Sequence, residues 1–334
     1  MKNHRSLLAA AVALPAAGLI LAGCGSSTAS ESTEADSAAI SVVATTNVYG
    51  QIARAIGGES VEVSEIITSA AQDPHSYEPT ARDKLAISNA SLVLANGGGY
   101  DQFMDSLVSS IPEGKAGEIT LVHAVDSSPV AEDSEAAGHE GESAEEHAQH
   151  AEEDPHEGHD HAAYNEHIWY DLESMGELAD ALAESFAEAD SANAEQYQRN
   201  AVSFNEGIDK LEQQLETAKL DGKSFVMTEP VPFHLLHAAG MEDATPEGLS
   251  EAIEEGEGIA PMTMKKAEDL LSAGNADVLA YNVQTEGSET KALRKSAEQG
   301  QIPVVDFAET IQDDSSYLDW MESNISDLAS AING

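Results

Sequence analysis

Apolar runs of strand length alternate with helical patterns along most of the chain after residue 39. The first pair is the apolar run Ile40–Thr46 and a helical pattern that Asn47 caps and Gly57-Gly58 ends. The other predicted strands are 61–68, 91–95, 119–122, 224–228, 277–281 and 302–307, and the other predicted helices are 79–89, 100–111, 174–189, 194–218, 233–239, 264–272, 289–299 and 317–331. This alternation predicts parallel α/β sheets, whose ligands bind beyond the carboxyl ends of the strands.

One helical stripe is longer than the rest. Apolar residues recur at alternating steps of three and four from Ala194 to Ala218. At about 1.5 Å per residue, such a helix can run the length of a two-domain protein. We therefore predict an α/β fold with two parallel-sheet lobes, 40–173 and 221–334, joined by a single long rigid helix within the connector 174–220. The two lobes leave one cleft between them.

The start of the chain has the pattern of an export signal. Basic residues precede an apolar run from Leu7 to Leu21, and Leu21-Ala22-Gly23-Cys24 follows. Cys24 is the single cysteine, which excludes a disulfide framework and a thiolate metal site. Because Leu-Ala-Gly-Cys is the pattern at which bacterial lipoproteins are cut and acylated, we predict a signal peptide over 1–23, a lipid anchor on Cys24 and a flexible tether over 24–39.

The chain is strongly acidic, with a formal net charge of −46 at pH 7. Nucleic acids and anionic lipid surfaces are poor partners for such a charge. Cations are favoured in general, although an acidic surface by itself is more typical of solubility than of a specific site.

The segment 131–163 differs in character from its surroundings. It contains 12 acidic residues, six of the chain's 12 histidines and neither lysine nor arginine, so we predict a disordered surface loop. Neutral imidazoles are ligands for zinc-like ions, which indicates weak auxiliary metal binding; the alternative is a solvated acidic insertion with incidental histidines. The histidines are His139, His147, His150, His156, His159 and His161.

Two further histidines stand in stiffened contexts. His75 lies in Asp73-Pro74-His75-Ser76-Tyr77-Glu78-Pro79, directly after the predicted strand 61–68, and proline restricts both itself and the residue before it. His167 opens His167-Ile168-Trp169-Tyr170-Asp171. A rigid imidazole beyond a strand suits a metal site, and an ordinary turn with a solvated histidine is the alternative that the residues alone leave open. Asp171 either orients His167 or starts the next helix.

Acidic and amide side chains also follow strands of the second half: Glu229, Asn282 and Glu309. Glu229 has an alternative role as an acid favoured at the N-terminus of the following helix, and Glu309 has one as a surface acid. His234 and His237, three residues apart on one helix, are a weaker choice as ligands, and they and His123 fit better as satisfied or solvated histidines.

Several of these motifs together resemble the solute-binding lipoproteins of bacterial zinc and manganese ABC transporters. The motifs are Thr46-Asn47-Val48-Tyr49, Asp73 to Pro79, Ala95-Asn96-Gly97, His167 to Asp171, Thr228-Glu229-Pro230, Tyr281 to Thr285 and Ile302-Pro303-Val304-Val305. The resemblance covers Ile40 to the C-terminus. Its most specific part is the pair of Asp-Pro-His and His-x-Trp-Tyr-Asp motifs with a histidine-rich insertion between them.

The resemblance implies a metal site in the interlobe cleft with four ligands: His75, His167, Glu229 and Glu309. It also implies a monomeric receptor, anchored to the outer face of the cytoplasmic membrane, that passes a divalent ion to an ABC permease and its ATPase. Zinc is favoured, manganese is the alternative because carboxylates suit it, and a surface adhesin or metal buffer without a transporter is a further alternative. Ligand histidines must be neutral, so binding is expected to weaken below about pH 6.5.

An enzyme is the rival class, and the sequence gives it no support. A zinc hydrolase would keep an open coordination position beside a motif such as His-Glu-x-x-His, and the chain contains no such motif and no glycine-framed serine. We therefore expect binding without chemistry.

The division between a tight site and an auxiliary loop leads to the first prediction. Deletion of residues 131–163 should leave one tight zinc site intact, because none of the four implied ligands lies in that segment. Isothermal calorimetry of the deletion variant and the full chain tests this. Loss of the tight site together with the loop would contradict the division.

Overall fold

The computed structural model describes residues 39–116, 118–130, 165–256 and 258–334. The predictions for the signal peptide, Cys24 and the histidine-rich segment fall on residues outside these ranges. So does nearly all of the predicted tether.

The first half of the chain forms a four-stranded parallel sheet with the order β2-β1-β3-β4. The strands are β1 (Ile40–Thr46), β2 (Val61–Ile67), β3 (Leu92–Ala95) and β4 (Thr120–His123), and the helices are α1 (Asn47–Gly57), α2 (Ala81–Ser88), α3 (Gln102–Ser109) and α4 (Glu113–Ala116). The central strands β1 and β3 are almost wholly buried, which explains their continuous apolar sequences.

The second half forms another four-stranded parallel sheet with the order β6-β5-β7-β8. Two helices precede it, α5 (Leu172–Ala189) and α6 (Ala194–Thr217). The strands are β5 (Ser224–Met227), β6 (Glu242–Asp243), β7 (Val278–Asn282) and β8 (Val304–Phe307), and the helices are α7 (Phe233–Ala238), α8 (Ser250–Glu254), α9 (Pro261–Ser272), α10 (Ser288–Gly300) and α11 (Tyr317–Asn333). Two parallel sheets surrounded by helices confirm the predicted α/β class.

Three short elements were not predicted from the sequence: α4, which has only four residues, β6 and α8. β6 consists of two exposed acidic residues, so no apolar pattern marks it. α8 has five residues, too few for a helical period to show. Within the described ranges, no helix combines the length and the apolar character that crossing a bilayer requires.

The predicted cap of α1 and the predicted start of α5 at residue 174 were wrong. Thr46 is the N-cap of α1, and Asn47 is its first residue. The Asn47 amide instead donates to the Ile311 carbonyl at 2.7 Å and accepts from the Ile311 N–H at 3.0 Å. At α5, Asp171 is the N-cap and accepts from the Ser174 N–H at 3.0 Å, so the predicted start at Ser174 lies inside the helix.

The apolar stripe of α6 is buried as its spacing predicts. Its buried members are Tyr197, Ala201, Phe204, Ile208, Leu211 and Leu215. The helix packs against α5, α1 and α11, and its side chains belong to one apolar cluster that also contains residues of both sheets. Each large apolar side chain buried in this way contributes about 1.5–3 kcal/mol. That α6 is the single rigid link between two lobes remains a prediction.

Two tyrosines connect the first half of the chain to the second through hydrogen bonds. Tyr170 Oη donates to the Ala308 carbonyl at 2.9 Å, and Tyr317 Oη donates to the Trp169 carbonyl at 2.9 Å. Both phenol groups are fully buried, so each bond satisfies a polar group that has left water. The segment after His167 is thereby fixed against the end of β8 and the start of α11.

Asp101 organises the turn that follows β3. Its buried carboxylate accepts hydrogen bonds from the backbone N–H groups of Asn96 at 2.7 Å and Gly97 at 2.9 Å. Gly97 has a φ of 81°, and a Cβ there would lie 2.7 Å from the side chain of Val125, so glycine is needed for two reasons. Burial raises the pKa of Asp101 to about 6, although the hydrogen bonds from Asn96 and Gly97 lower it.

The raised pKa of Asp101 predicts a pH-dependent stability. The pKa of Asp101 is about 6 in the folded protein, against an ordinary 3.8 for the unfolded chain. The protonated Asp101 side chain therefore contributes its full stability to the fold below pH 3.8, and this contribution is lost as the pH rises through 6. The free energy of unfolding of the wild type, relative to Asp101→Asn, should therefore fall by on the order of 3 kcal/mol between about pH 4 and pH 7. Urea denaturation of both proteins measures the difference, and a difference independent of pH would contradict this account.

Candidate metal centre

His75 lies on a turn beyond the end of β2, and Asp73 holds that turn. One Asp73 oxygen accepts from the His75 N–H at 3.0 Å, and the other accepts from Ser76 Oγ at 2.6 Å. The stiffness expected from the prolines is therefore reinforced by a side chain that bonds to its own loop. The His75 side chain keeps 21% of its surface exposed, so solvent reaches it.

His167 begins the short 3-10 turn Ile168–Tyr170 and is buried. Its ring packs edge-on against Trp169, with 5.0 Å between ring centroids, and against Tyr100 at 6.0 Å. Burial lowers the pKa of His167 well below its ordinary value, and the neighbouring His75 and His234 lower it further. The imidazole is therefore neutral at physiological pH, as a metal ligand must be.

Glu254 of α8 completes a group of three with these histidines. One ligand atom from each of His75, His167 and Glu254 lies within 4.8 Å of the others. Glu254 Oε1 is 3.2 Å from His167 Nε2 and 3.9 Å from His75 Nε2. Two imidazole nitrogens and a carboxylate oxygen are a ligand set that zinc and related divalent ions accept.

Sequence reasoning missed Glu254, and no local signal distinguishes it. It lies in a run with Glu251 and Glu255, in a segment too short to show which of these acids points inward. Only the packing of α8 against the histidines selects Glu254. Glu166, which directly precedes His167, was also missed; it is buried and its Oε1 lies 3.9 Å from His75 Nε2.

The predicted ligands Glu229 and Glu309 form a neighbouring acidic pair. Both are buried just beyond strands, Glu229 after β5 and Glu309 after β8. The Asn282 amide donates to both carboxylates, at 3.0 Å to Glu309 Oε1. Glu309 Oε2 also accepts from Tyr100 Oη at 3.1 Å, and the Tyr100 ring lies 5.1 Å from the His75 ring. The pair thus adjoins the group of three, and its role as ligands remains a prediction.

The acids of the site repel one another. Burial, and after it the charges of Glu166, Glu229 and Glu309, raise the pKa of Glu254 to about 9. Burial likewise raises the pKa of Glu309 to about 7, with the charge of Glu229 next in importance. A divalent cation is the kind of ligand that relieves such repulsion.

The other candidate histidines have different partners. His234 Nε2 donates to the Asn165 carbonyl at 2.8 Å, the His237 ring stacks on Phe233, and His123 Nε2 lies 2.9 Å from Asp105 Oδ1. These contacts agree with the prediction that they are satisfied or solvated histidines. Of the two alternative roles predicted for Asp171, the structure shows the start of the helix, because Asp171 caps α5, while the atom next to His167 Nδ1 is Oδ1 of Asn165.

A comparison with known protein families gives a match that spans most of the chain. The family model for ZnuA, described as zinc-uptake complex component A, periplasmic, matches residues 42–331. The chain belongs to this family. The resemblance drawn from the motifs is confirmed, and the protein is a substrate-binding component of a metal ABC transporter rather than an enzyme.

Individual relatives are distant and carry different metals in their names. A manganese-binding lipoprotein, MntA of Halalkalibacterium halodurans, is 23% identical over 328 residues, covering 94% of this chain and 95% of its own. A manganese substrate-binding lipoprotein, PsaA of Streptococcus pneumoniae, is 25% identical and is covered in full, as is this chain. The structure titled periplasmic zinc binding protein TroA from Treponema pallidum shares the fold with a TM-score of 0.65, at 17% identity over 88% of this chain and 99% of its own.

The position of Glu254 predicts the effect of replacing its carboxyl group. Glu254→Gln should lower the affinity for zinc about tenfold or more, because an amide is a much weaker zinc ligand than a carboxylate. Competition calorimetry against a chelator measures the change. The neighbouring exposed Glu255 gives the matched control, since Glu255→Gln makes the same change of side chain next to Glu254 and Glu255 does not belong to the group of three. Equal effects of the two substitutions would contradict a role for Glu254 as a ligand.

Proposed function

We propose that this protein is a lipid-anchored receptor that captures zinc outside the cytoplasmic membrane and delivers it to the permease and ATPase of an ABC transporter. The observation that carries the proposal is the convergence of His75, His167 and Glu254 within 4.8 Å, in a chain of the metal-uptake family. His75 is exposed enough to meet an ion arriving from solvent. His167 and Glu254, which are less exposed, then offer further ligand atoms.

The choice of zinc is supported by the ligand chemistry. Two neutral imidazoles favour zinc over harder ions, which prefer all-oxygen sites. The acids Glu229 and Glu309 and the manganese in the names of two relatives support the alternative, manganese. Zinc binds more tightly than manganese to most such sites whichever ion is native, so affinity has to be read together with the ion found in the cell.

The proposed location is supported by the lipoprotein signal pattern and by the relatives. Cys24 ends a lipoprotein signal pattern, and the relatives named above are lipoproteins. We infer that Cys24 carries the lipid and that the protein acts as a monomer on the outer face of the membrane.

We also infer that Glu229 and Glu309 join the two histidines as ligands when zinc is bound.

The histidines give the sharpest test of the proposed site. His75→Ala and His167→Ala should each lower the zinc affinity by two orders of magnitude or more, about 3 kcal/mol, because each removes a neutral nitrogen ligand. His237→Ala is the matched control, since that ring stacks on Phe233 and has no place in the group of three. Calorimetry with a competing chelator measures all three. Unchanged zinc binding in both site variants would refute the proposal.

The identity of the native ion needs a separate experiment. Metal analysis of the protein purified from its own host should show zinc, and added manganese should displace it only at large excess. Predominant manganese in that preparation would support the alternative ion while leaving the site itself unaffected.

A further inference from the structure

Asn165 connects His167 to the segment that follows Glu229. Its Oδ1 accepts from the His167 N–H at 3.0 Å and lies 2.6 Å from His167 Nδ1. Its Nδ2 donates to the Pro230 carbonyl at 2.7 Å. Its own backbone carbonyl accepts from His234 Nε2 at 2.8 Å. Asn165 is thus held from both halves of the chain.

The partners of Asn165 fix which way its amide faces. A backbone N–H can only donate, so the atom that receives the His167 N–H must be the oxygen. A carbonyl can only accept, so the atom that faces Pro230 must be the nitrogen. The two ends of the amide therefore cannot exchange without losing both bonds.

The orientation of the amide in turn fixes the proton of His167. Because the atom facing Nδ1 is an oxygen, Nδ1 must carry the hydrogen to form the 2.6 Å bond. A neutral imidazole has one such hydrogen, so Nε2 keeps its lone pair. Nε2 is the atom that faces Glu254 and the space between the ligands. A hydrogen on Nε2 would block the coordination of an ion.

We propose that Asn165 is the positioning residue of the metal site: it fixes His167 in the tautomer that offers Nε2 to the ion and ties that imidazole to the Pro230 segment beside Glu229. The inference rests on the proposed function for its effect on zinc. Its effect on the tautomer concerns the ion-free protein and is independent of that function. The pattern that singles out Asn165 is its place two residues before His167, where its side chain can bond to both the backbone and the ring of that residue.

Nitrogen-15 NMR of the ion-free full chain tests the tautomer directly. Long-range nitrogen–proton correlations distinguish Nδ1–H from Nε2–H, and the signals of His167 are assigned by their loss in His167→Gln. The wild type should show Nδ1–H. Asn165→Ala should shift these signals towards a mixture of tautomers, whereas Asn165→Asp should keep Nδ1–H because a carboxylate oxygen still accepts it.

Zinc affinity gives the second measurement. Asn165→Ala should bind zinc about 10–100-fold more weakly, as expected when the partner of a ligating histidine is lost. Asn165→Asp should retain more of the affinity, since it keeps the acceptor and loses the bond to Pro230. Asn200→Ala is the matched control: its Nδ2 donates to the Ile56 carbonyl at 2.7 Å, away from the site, so its loss should leave the affinity and the tautomer unchanged.

The outcomes separate the two proposals. Failure of the wild type to bind zinc would overturn the proposed function, whereas the tautomer in the ion-free protein still supports or overturns the role of Asn165. An Nε2–H tautomer in the wild type would overturn that role, and this measurement decides the matter even if Asn165→Ala does not fold. An Asn165→Ala variant with the wild-type tautomer and affinity would overturn it too. Equal weakening by Asn200→Ala would show a merely structural effect and also overturn it.

Discussion

The mutual repulsion of buried carboxylates is the constraint around which the site is built. Glu166, Glu229, Glu254 and Glu309 lie near enough for their charges to act on one another, and the nearby histidine His167 is kept neutral by burial. Keeping these acids buried close together costs stability, because a buried carboxyl group is unfavourable in its charged form, and the pKa values of Glu254 and Glu309 rise accordingly. A divalent cation is the kind of ligand that relieves such repulsion.

Parallel sheets are the reason that these groups meet. Each sheet brings the carboxyl ends of its strands to one edge, so residues distant in the chain follow neighbouring strands: His75 after β2, Tyr100 after β3, Glu229 after β5 and Glu309 after β8. Tyr100 shows the consequence best. Its ring contacts the two histidines contributed by the first half of the chain, and its hydroxyl donates to Glu309 of the second. The turn after β3 that carries Tyr100 is held by the buried carboxylate of Asp101, which accepts two backbone hydrogen bonds.

Much of this could be predicted from the sequence, and the failures have physical reasons. The strands could be predicted because the central strands of a parallel sheet are buried on both faces and therefore have continuous apolar sequences. The helix α6 could be predicted because its apolar residues repeat at helical spacing over many turns. His75 and His167 were marked by neighbouring residues that restrict the backbone. Glu254 could not be found, because α8 is short and only tertiary packing selects one acid among several. Two alternative roles were predicted for Asp171, and its bond to the Ser174 N–H shows one of them, the helix cap. Residues that orient a ligand through hydrogen bonds leave no periodic signal at all.

The position of Asn165 gives the site a property that the ligands alone would not have. His75 and His167 belong to the first half of the chain, while Glu229, Glu254 and Glu309 belong to the second. A site assembled in this way is complete only when the two halves are correctly placed. Asn165 bonds to the imidazole of His167 and to the Pro230 carbonyl, so the orientation of a nitrogen ligand depends directly on the placement of the segment that carries an acidic one. Displacement of that segment would remove the bond to Pro230, which is one of the two bonds that fix which way the amide faces. An ion that ligates His167 and Glu229 together would therefore bind best in the arrangement that Asn165 already favours.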